Sequence, residues 1–246
     1  MPERKLFLGT LAKLLELPFA DVDDHSAVLR QQETLDFLAM LAGIKPVFMT
    51  GRGFHDDLWI RGVIELASET GLDVEIGPMW NALAGREGLP EWFVRFAIEA
   101  HRSDAVFISK EAAAAQAVHA AVTGNPVSIA DEAALLGYPA CCVRAEYQRN
   151  ECLDRAYFMM LSRAAGEDQQ RIRVLIDDDV RLDAETPAEI AMLEAASAVN
   201  MAPFTSINMC GACASDLQSP ARKIAAEHEQ LACSIDLTFA DSFPQR

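Results

Sequence analysis

The residues best suited to chemistry in this chain form two short clusters, Cys141-Cys142 and Cys210-Gly211-Ala212-Cys213. Gly137 is suited to end one helix in the left-handed conformation and Pro139 to begin the next, which places Cys141 and Cys142 in a helix's first turn. The unpaired N–H groups and positive dipole end of that turn favour thiolate over thiol. Because thiolates bind metals and attack electrophiles, the two clusters predict a metal or redox-thiol centre that forms when the chain folds.

A metal site formed by these cysteines has the ligand chemistry of zinc or of an iron–sulfur cluster. Adjacent helical residues point about 100° apart, so Cys141 and Cys142 are poorly placed to share one zinc ion. Three thiolates would leave an open position on a 4Fe-4S cluster, where a substrate can bind, whereas structural zinc prefers four ligands. We therefore favour a 4Fe-4S cluster and keep zinc as the alternative. The metal-ligand candidates are Cys141, Cys142, Cys210 and Cys213, with Cys142, Cys210 and Cys213 as the minimal set and the fourth ligand drawn from Cys141, Cys152, Cys233 or a histidine.

Two other interpretations of the cysteines stay open. Free cysteine is among the most buried residue types, so Cys141 and Cys142 would also suit an apolar core. Cys-x-x-Cys is also a thiol–disulfide motif, although redox cysteines of the thioredoxin kind follow a strand and open a helix. Here the Cys-x-x-Cys segment, Cys210 to Cys213, which we call the knuckle, follows a predicted loop, residues 200–209. It precedes Ser219-Pro220, which predicts the start of another helix.

Glu146 and Arg149 follow Cys142 by one and two turns of the same predicted helix, so the three share a face. Glu146 is placed to shuttle protons beside a metal-bound substrate, and Arg149 to pair with a carboxylate. These two are the candidate catalytic residues, and a surface salt pair between them is the simpler interpretation.

A glycine-containing turn, Gly51-Arg52-Gly53, follows a predicted strand and precedes a predicted helix, where its amides could hold an anion. The third glycine of a dinucleotide-binding fingerprint is missing, because position 56 is Asp. A plain turn is therefore favoured, with Arg52 and His55 as candidate substrate contacts.

Composition limits the classes of partner. The chain has 246 residues, is 51% hydrophobic and carries a formal net charge of -16, which would repel nucleic acid and anionic membrane surfaces. No secretory signal or membrane-spanning run is found, and six cysteines are too few for a disulfide scaffold of this size. We therefore expect a cytoplasmic protein with a small-molecule substrate, without nucleic-acid or membrane partners. A homodimer is compatible with the sequence.

Hydrophobic spacing predicts helices over residues 3–16 and 26–43, followed by strands alternating with helices. The predicted strands are residues 45–50, 72–76, 104–109 and, as a short fourth, 127–129. Because strands that alternate with helices imply a mostly parallel sheet, we expect an α/β fold with a helical cysteine-containing C-terminal part. The predicted segments are N-terminal helices (1–43), an α/β core (44–138) and a helical cysteine-containing region (139–246) packed with that core.

The stretch Leu135-Leu136-Gly137-Tyr138-Pro139-Ala140-Cys141-Cys142-Val143 resembles the Leu-Gly-Tyr-Pro-x-Cys-Cys signature of a family of uncharacterised prokaryotic proteins with further cysteines downstream. The resemblance implies that the cysteines belong to one shared site, and it supplies no activity. Gly211 stands where the family pattern has a polar residue.

The interpretation that we favour is a metal-dependent enzyme that acts on a small molecule through a cysteine-ligated iron–sulfur or zinc centre, with the reaction class unassigned. Two alternatives belong to other classes. One is a non-enzymatic protein with a structural zinc site and an acidic partner-binding surface. The other is a thiol–disulfide redox protein.

Overall fold

The computed structural model describes residues 2–17, 24–51, 57–79, 81, 86–99 and 104–243. The elements in chain order are α1 (Pro2–Glu16), α2 (Asp24–Ala42), β1 (Val47–Gly51), α3 (Asp57–Glu69), β2 (Asp73–Pro78), α4 (Glu91–Phe93), a π-helical segment (Val94–Glu99), β3 (Asp104–Ser109), α5 (Ala112–Thr123), α6 (Ile129–Leu136), α7 (Ala140–Ala165), α8 (Gln169–Asp177), α9 (Pro187–Ala196), α10 (Gly211–Ser215), α11 (Pro220–Ile235) and α12 (Leu237–Asp241).

Packing divides the chain into two compact units. The first contains Met1–Trp80, Ser103–Val143 and Asn200–Arg246, and the second contains Asn81–Arg102 and Arg144–Val199. The two units do not coincide with the three sequence-predicted segments, because the first unit contains residues from all three segments.

The sheet of the first unit has three described strands in the order β1-β3-β2. Both outer strands pair antiparallel with β3: Val47 lies opposite Ser109 in one pair, and Asp73 lies opposite the same residue in the other. The prediction of a mostly parallel sheet flanked by helices is therefore wrong.

The physical reason lies in what the sequence pattern encodes. Burial and β-branched residues locate a strand, but they do not specify the direction of its neighbour. The helix α3 does return the chain so that β1 and β2 run the same way, as the alternation predicts. However, β3 lies between them and runs in the opposite direction, and residues 81–102 of its connection from β2 belong to the second unit.

The predicted fourth strand at residues 127–129 is also absent from the described sheet. Ser128 instead acts as the N-cap of α6, where its hydroxyl accepts a hydrogen bond from the backbone N–H of Asp131. The residues on either side of this cap, Val127 and Ile129, are β-branched, and a short stretch of that composition resembles a strand in sequence.

Both faces of this sheet are covered, so alternate strand residues enter two separate cores. On one face, Phe48, Val106 and Ile108 pack into the larger core, which contains residues from α1, α2, α3, α11 and α12. On the other face, Val47 and Phe107 pack with α5 and with the end of α6. The larger core therefore joins the N-terminal helices to the C-terminal ones.

The second unit is helical in its described residues. Its core is aromatic: Phe93 is fully buried, and its ring centroid lies 4.8 Å from that of Phe158 on α7. At α9, Thr186 and Glu189 form a capping box, and Arg163 on α7 donates to the Glu189 carboxylate.

Candidate metal centre

The first cysteine pair is placed by a tight helix–turn–helix connection. Gly137 ends α6 in the left-handed conformation with φ of 70°, and the Tyr138 N–H donates to the Ala133 carbonyl. Because α7 begins at Ala140, Cys141 and Cys142 lie in its first turn, as predicted.

The second pair is placed by a short loop that turns back on itself. Met201 and Asn208 form an isolated antiparallel bridge, and the Met209 N–H donates to the Asn200 carbonyl. Cys210 then stands at the N-cap of α10, with Cys213 inside that helix.

Ser219 fixes the exit from the knuckle. It is the predicted N-cap of α11, where its hydroxyl accepts from the Arg222 N–H and donates to the Cys213 carbonyl at 2.8 Å. The backbone of the second pair is therefore held by the start of a long helix.

The two pairs converge on one point. The sulfurs of Cys141, Cys142, Cys210 and Cys213 all lie within 4.8 Å of one another. The Sγ atoms of Cys141 and Cys213 are 3.6 Å apart, and the Cys210 N–H donates to Cys142 Sγ at 3.4 Å. Both Cys141 and Cys142 are candidate ligands from the sequence, although adjacent helical positions are poorly placed to share one zinc ion. In the structure both reach the site: Cys141 Sγ lies beside Cys213 Sγ, and Cys142 Sγ accepts from the Cys210 N–H.

The four cysteines differ in exposure. Cys142 and Cys213 are 2% and 3% exposed, Cys210 is half-buried and Cys141 is exposed. A small apolar cluster containing Ile207 and Met209 packs around the two buried thiols. The site is thus shielded on one side and open to solvent at Cys141.

The thiols also influence one another's protonation. Partial burial raises the pKa of Cys141, and hydrogen bonds and charges from Cys213 and Cys210 add to the rise. Burial raises the pKa of Cys142 further. Burial acts to raise the pKa of Cys210 as well, but hydrogen bonds from the Cys213 N–H and from neighbouring thiols outweigh it and lower the pKa. Four crowded thiolates repel one another, and a bound cation would compensate for that repulsion.

The candidate catalytic residues lie in the second unit. Arg149 Nη2 donates to Glu146 Oε2, so the two residues do form a salt pair. Only the Glu146 side chain is partly exposed, whereas the Arg149 side chain is buried, so the pair is not simply a surface one. A role for either in catalysis stays a prediction.

The other sequence candidates lie elsewhere. Cys152 and Cys233 are free thiols outside the four-cysteine group. His119 lies 3.2 Å from the Glu75 carboxylate. Arg52, Gly53, His55 and His101 lie outside the described residues.

A buried polar network beside the centre was missed from the sequence. Asp36 on α2 forms an ion pair with Lys45, with Asp36 Oδ2 2.9 Å from Lys45 Nζ and both side chains 2% exposed. The hydroxyls of Tyr138 and Ser206 donate to the same oxygen, and His228 Nδ1 lies 3.4 Å from the other. One sequence signal could have found it: Asp36 interrupts the apolar run of α2, where a charge needs a partner.

The network keeps its charges in the protein interior. Burial alone would raise the pKa of Asp36, but Lys45, His228 and the Ser206 hydroxyl lower it overall. Burial alone would lower the pKa of Lys45, but Asp36 raises it overall. Burial and the Asp36 charge raise the pKa of Tyr138 to about 12. Asp36 and Lys45 therefore stay ionised at neutral pH, and Tyr138 keeps its proton.

Comparison of the chain with protein families, with curated proteins and with solved structures gives no match. Among the helices in the described ranges, none is both long and apolar enough to cross a bilayer. The geometry of the cysteine group therefore carries the functional argument.

Proposed function

We propose that the chain binds one zinc ion through Cys141, Cys142, Cys210 and Cys213. The main support for this proposal is that the four sulfurs lie within 4.8 Å of one another, although they come from two distant segments. Four thiolates at about 2.3 Å from a tetrahedral zinc lie about 3.8 Å apart, so small side-chain movements would complete the shell. In a 4Fe-4S cluster each thiolate binds a different iron, and the sulfurs lie farther apart. The compact spacing therefore supports zinc over the cluster favoured from sequence.

A four-thiolate site suits a structural ion. It would join the first turn of α7 to α10 and to the loop that precedes α10, residues 200–209, and its coordination shell would be complete. The resemblance to the Leu-Gly-Tyr-Pro-x-Cys-Cys family supports the same proposal, since it implies that these cysteines share one site.

Metal and sulfide analysis of anaerobically purified protein tests the identity of the ion. We expect about one zinc per chain, without iron or acid-labile sulfide. A brown protein that contains iron and acid-labile sulfide would instead identify the bound group as an iron–sulfur cluster. Metal-free protein that forms a reversible Cys141–Cys213 disulfide would support the thiol–disulfide alternative.

Single-cysteine variants test the ligand set. Cys142→Ala, Cys210→Ala and Cys213→Ala should each lose most of the bound metal, because the removal of one thiolate leaves the ion under-coordinated. Cys233→Ser and Cys152→Ser are the matched controls, since both positions lie outside the group, and both should keep the metal. Substitution with Co²⁺ gives a spectroscopic readout, because thiolate-bound tetrahedral Co²⁺ absorbs visible light strongly. Full metal content in all three alanine variants would contradict the site.

Catalytic use of the same ion on a small molecule is the second candidate, and the exposure of Cys141 favours it. An exposed ligand is the one that a substrate could displace to reach the ion. Small carboxylates, amines or thiols should then perturb the Co²⁺ spectrum of the wild-type protein. An unchanged spectrum would leave the structural role as the better account.

A further inference from the structure

One buried carboxylate contacts both segments that carry the cysteines. Asp36 Oδ2 accepts from the Tyr138 hydroxyl at 3.1 Å and from the Ser206 hydroxyl at 2.6 Å. The two hydroxyl oxygens lie 3.0 Å apart. Tyr138 comes three residues before Cys141, and Ser206 comes four residues before Cys210. Asp36 therefore links the two halves of the site without touching a sulfur.

The links from Asp36 to the cysteines are short and well ordered by hydrogen bonds. Tyr138 is fixed in its turn by its N–H bond to Ala133, and Pro139 follows it directly. In the loop, the Ile207 N–H donates to Thr205 Oγ1, and Thr205 is fully buried. A movement of either hydroxyl would therefore displace a cysteine pair.

The same loop has a second attachment to α2. Gln32, one turn before Asp36, donates from its side-chain amide to the Ala202 carbonyl at 3.0 Å. Lys45 neutralises Asp36 and also donates to the Tyr138 hydroxyl at 3.3 Å. The anchor is thus a charged and buried group on α2, a helix that belongs to the larger core.

We propose that Asp36 is a positioning residue for the four-cysteine site: through Tyr138 and Ser206 it holds the two cysteine segments at the separation that one metal ion requires. This inference rests on the proposed zinc site. Groups that orient metal ligands from outside the coordination shell commonly change metal affinity 10-fold to 100-fold when removed. A carboxylate is suited to the task because one oxygen can accept from several donors, whereas an amide would also present hydrogens to them.

The test uses zinc and the single-hydroxyl variants Ser206→Ala and Tyr138→Phe, measured by competition with a chromophoric chelator. Each variant should bind zinc about 10-fold more weakly than wild type. Without the hydrogen bond, part of the zinc-binding free energy is used to order a cysteine segment. Ser206→Thr keeps a hydroxyl, so it should retain most of the wild-type affinity for zinc.

A matched control separates positioning from general stability. Thr50 on β1 donates to the Glu33 carboxylate on α2 at 2.7 Å, and both residues are buried. Thr50→Val breaks a bond of the same kind to the same helix, and that bond joins β1 to α2 instead of joining a cysteine segment to α2. It should lower the melting temperature as Ser206→Ala does and leave zinc affinity within about 2-fold of wild type.

Asp36→Asn completes the test through a double-mutant cycle. If the hydroxyls act through Asp36, Ser206→Ala should weaken zinc binding much less in the Asp36→Asn background than in wild type. Should Asp36→Asn fail to fold, the single-hydroxyl variants still decide the matter. Wild-type affinity in both Ser206→Ala and Tyr138→Phe would overturn this inference alone, whereas absence of zinc binding by wild type would overturn the proposed site and this inference with it.

Discussion

His228 is a buried residue whose protonation state depends on the packing around it. Its Nδ1 lies 3.1 Å from the Phe204 carbonyl, and because a carbonyl only accepts, Nδ1 carries the hydrogen. Burial lowers the pKa of His228 below its ordinary value of 6.5. Asp36 and Glu227 oppose that shift, and Lys45 adds to it. The residue is therefore neutral in the folded protein at neutral pH.

Acid should destabilise the fold through His228. In the unfolded chain the imidazole binds a proton below about pH 6.5, and the folded state resists that proton, so stability is complete above this pH and falls as the pH drops further. Asp36 also has a lowered pKa, but its contribution is lost only at more acidic pH. We expect the free energy of unfolding of wild type to fall between pH 7 and pH 5, as measured by urea denaturation.

The matched variant for this prediction is His228→Gln, which keeps a polar side chain without the titration. Its unfolding free energy should depend less on pH over the same interval, even if its value at pH 7 is lower. Parallel pH profiles for the two proteins would contradict a role for His228.

At the residue scale, the sequence located the candidate ligands better than their surroundings. Cys141, Cys142, Cys210 and Cys213 were recognisable because metal-binding cysteines cluster at short spacing. That both Cys141 and Cys142 would reach the same site was not recognisable, since it depends on where α10 lies against the first turn of α7. Ser206 and Lys45 gave no signal, because a single serine or lysine is ordinarily exposed.

At the scale of elements, the turn between α6 and α7 controls the first cysteine pair. Gly137 has φ of 70°, and a Cβ added there would lie 2.9 Å from Lys45 Cβ. Gly137→Ala would therefore combine a left-handed backbone with a steric overlap against a residue of the buried network. We expect a loss of about 1–3 kcal/mol in unfolding free energy together with weaker zinc binding.

Gly71→Ala is the control for the backbone term alone. Gly71 has φ of 71°, and an added Cβ would meet nothing within 4 Å. Gly71→Ala should lower the unfolding free energy by less than Gly137→Ala does, and it should bind zinc as tightly as wild type. Equal effects of the two substitutions on zinc affinity would contradict the role given to this turn.

Element positions were largely predictable, whereas their arrangement was not. Three strands and the helix start at Ser219 lie where hydrophobic patterns and capping chemistry placed them. The insertion of β3 between β1 and β2 was not predictable, because it depends on long-range packing that local periodicity does not encode.

At the scale of the whole molecule, zinc removal should affect the chain unevenly. All four cysteines belong to the first unit, and the two sheet-facing cores contain none of them. We expect a chelator to increase hydrogen exchange in residues 200–219 and in the first turn of α7, while α8 and α9 keep their protection. The metal-free protein should still melt cooperatively.

Hydrogen exchange followed by mass spectrometry, with circular dichroism for the melt, makes this measurement. Cys233→Ser treated with the same chelator serves as a control for nonspecific effects on thiols. A uniform rise in exchange along the described chain, or loss of the cooperative transition, would mean that the ion stabilises the entire fold.

The discontinuity of the first unit sets an order of events during synthesis. Cys213 follows Cys141 by 72 residues, and a ribosome adding about 5–20 residues per second needs roughly 4–14 s to cover that distance. Within that interval the whole of Arg144–Val199 is made, so the second unit has its full sequence while the first still lacks Ser206, α11 and α12. During this time Asp36 and the first cysteine pair are without their later partners. The unit that contains the N-terminal helices is thus the last to be completed.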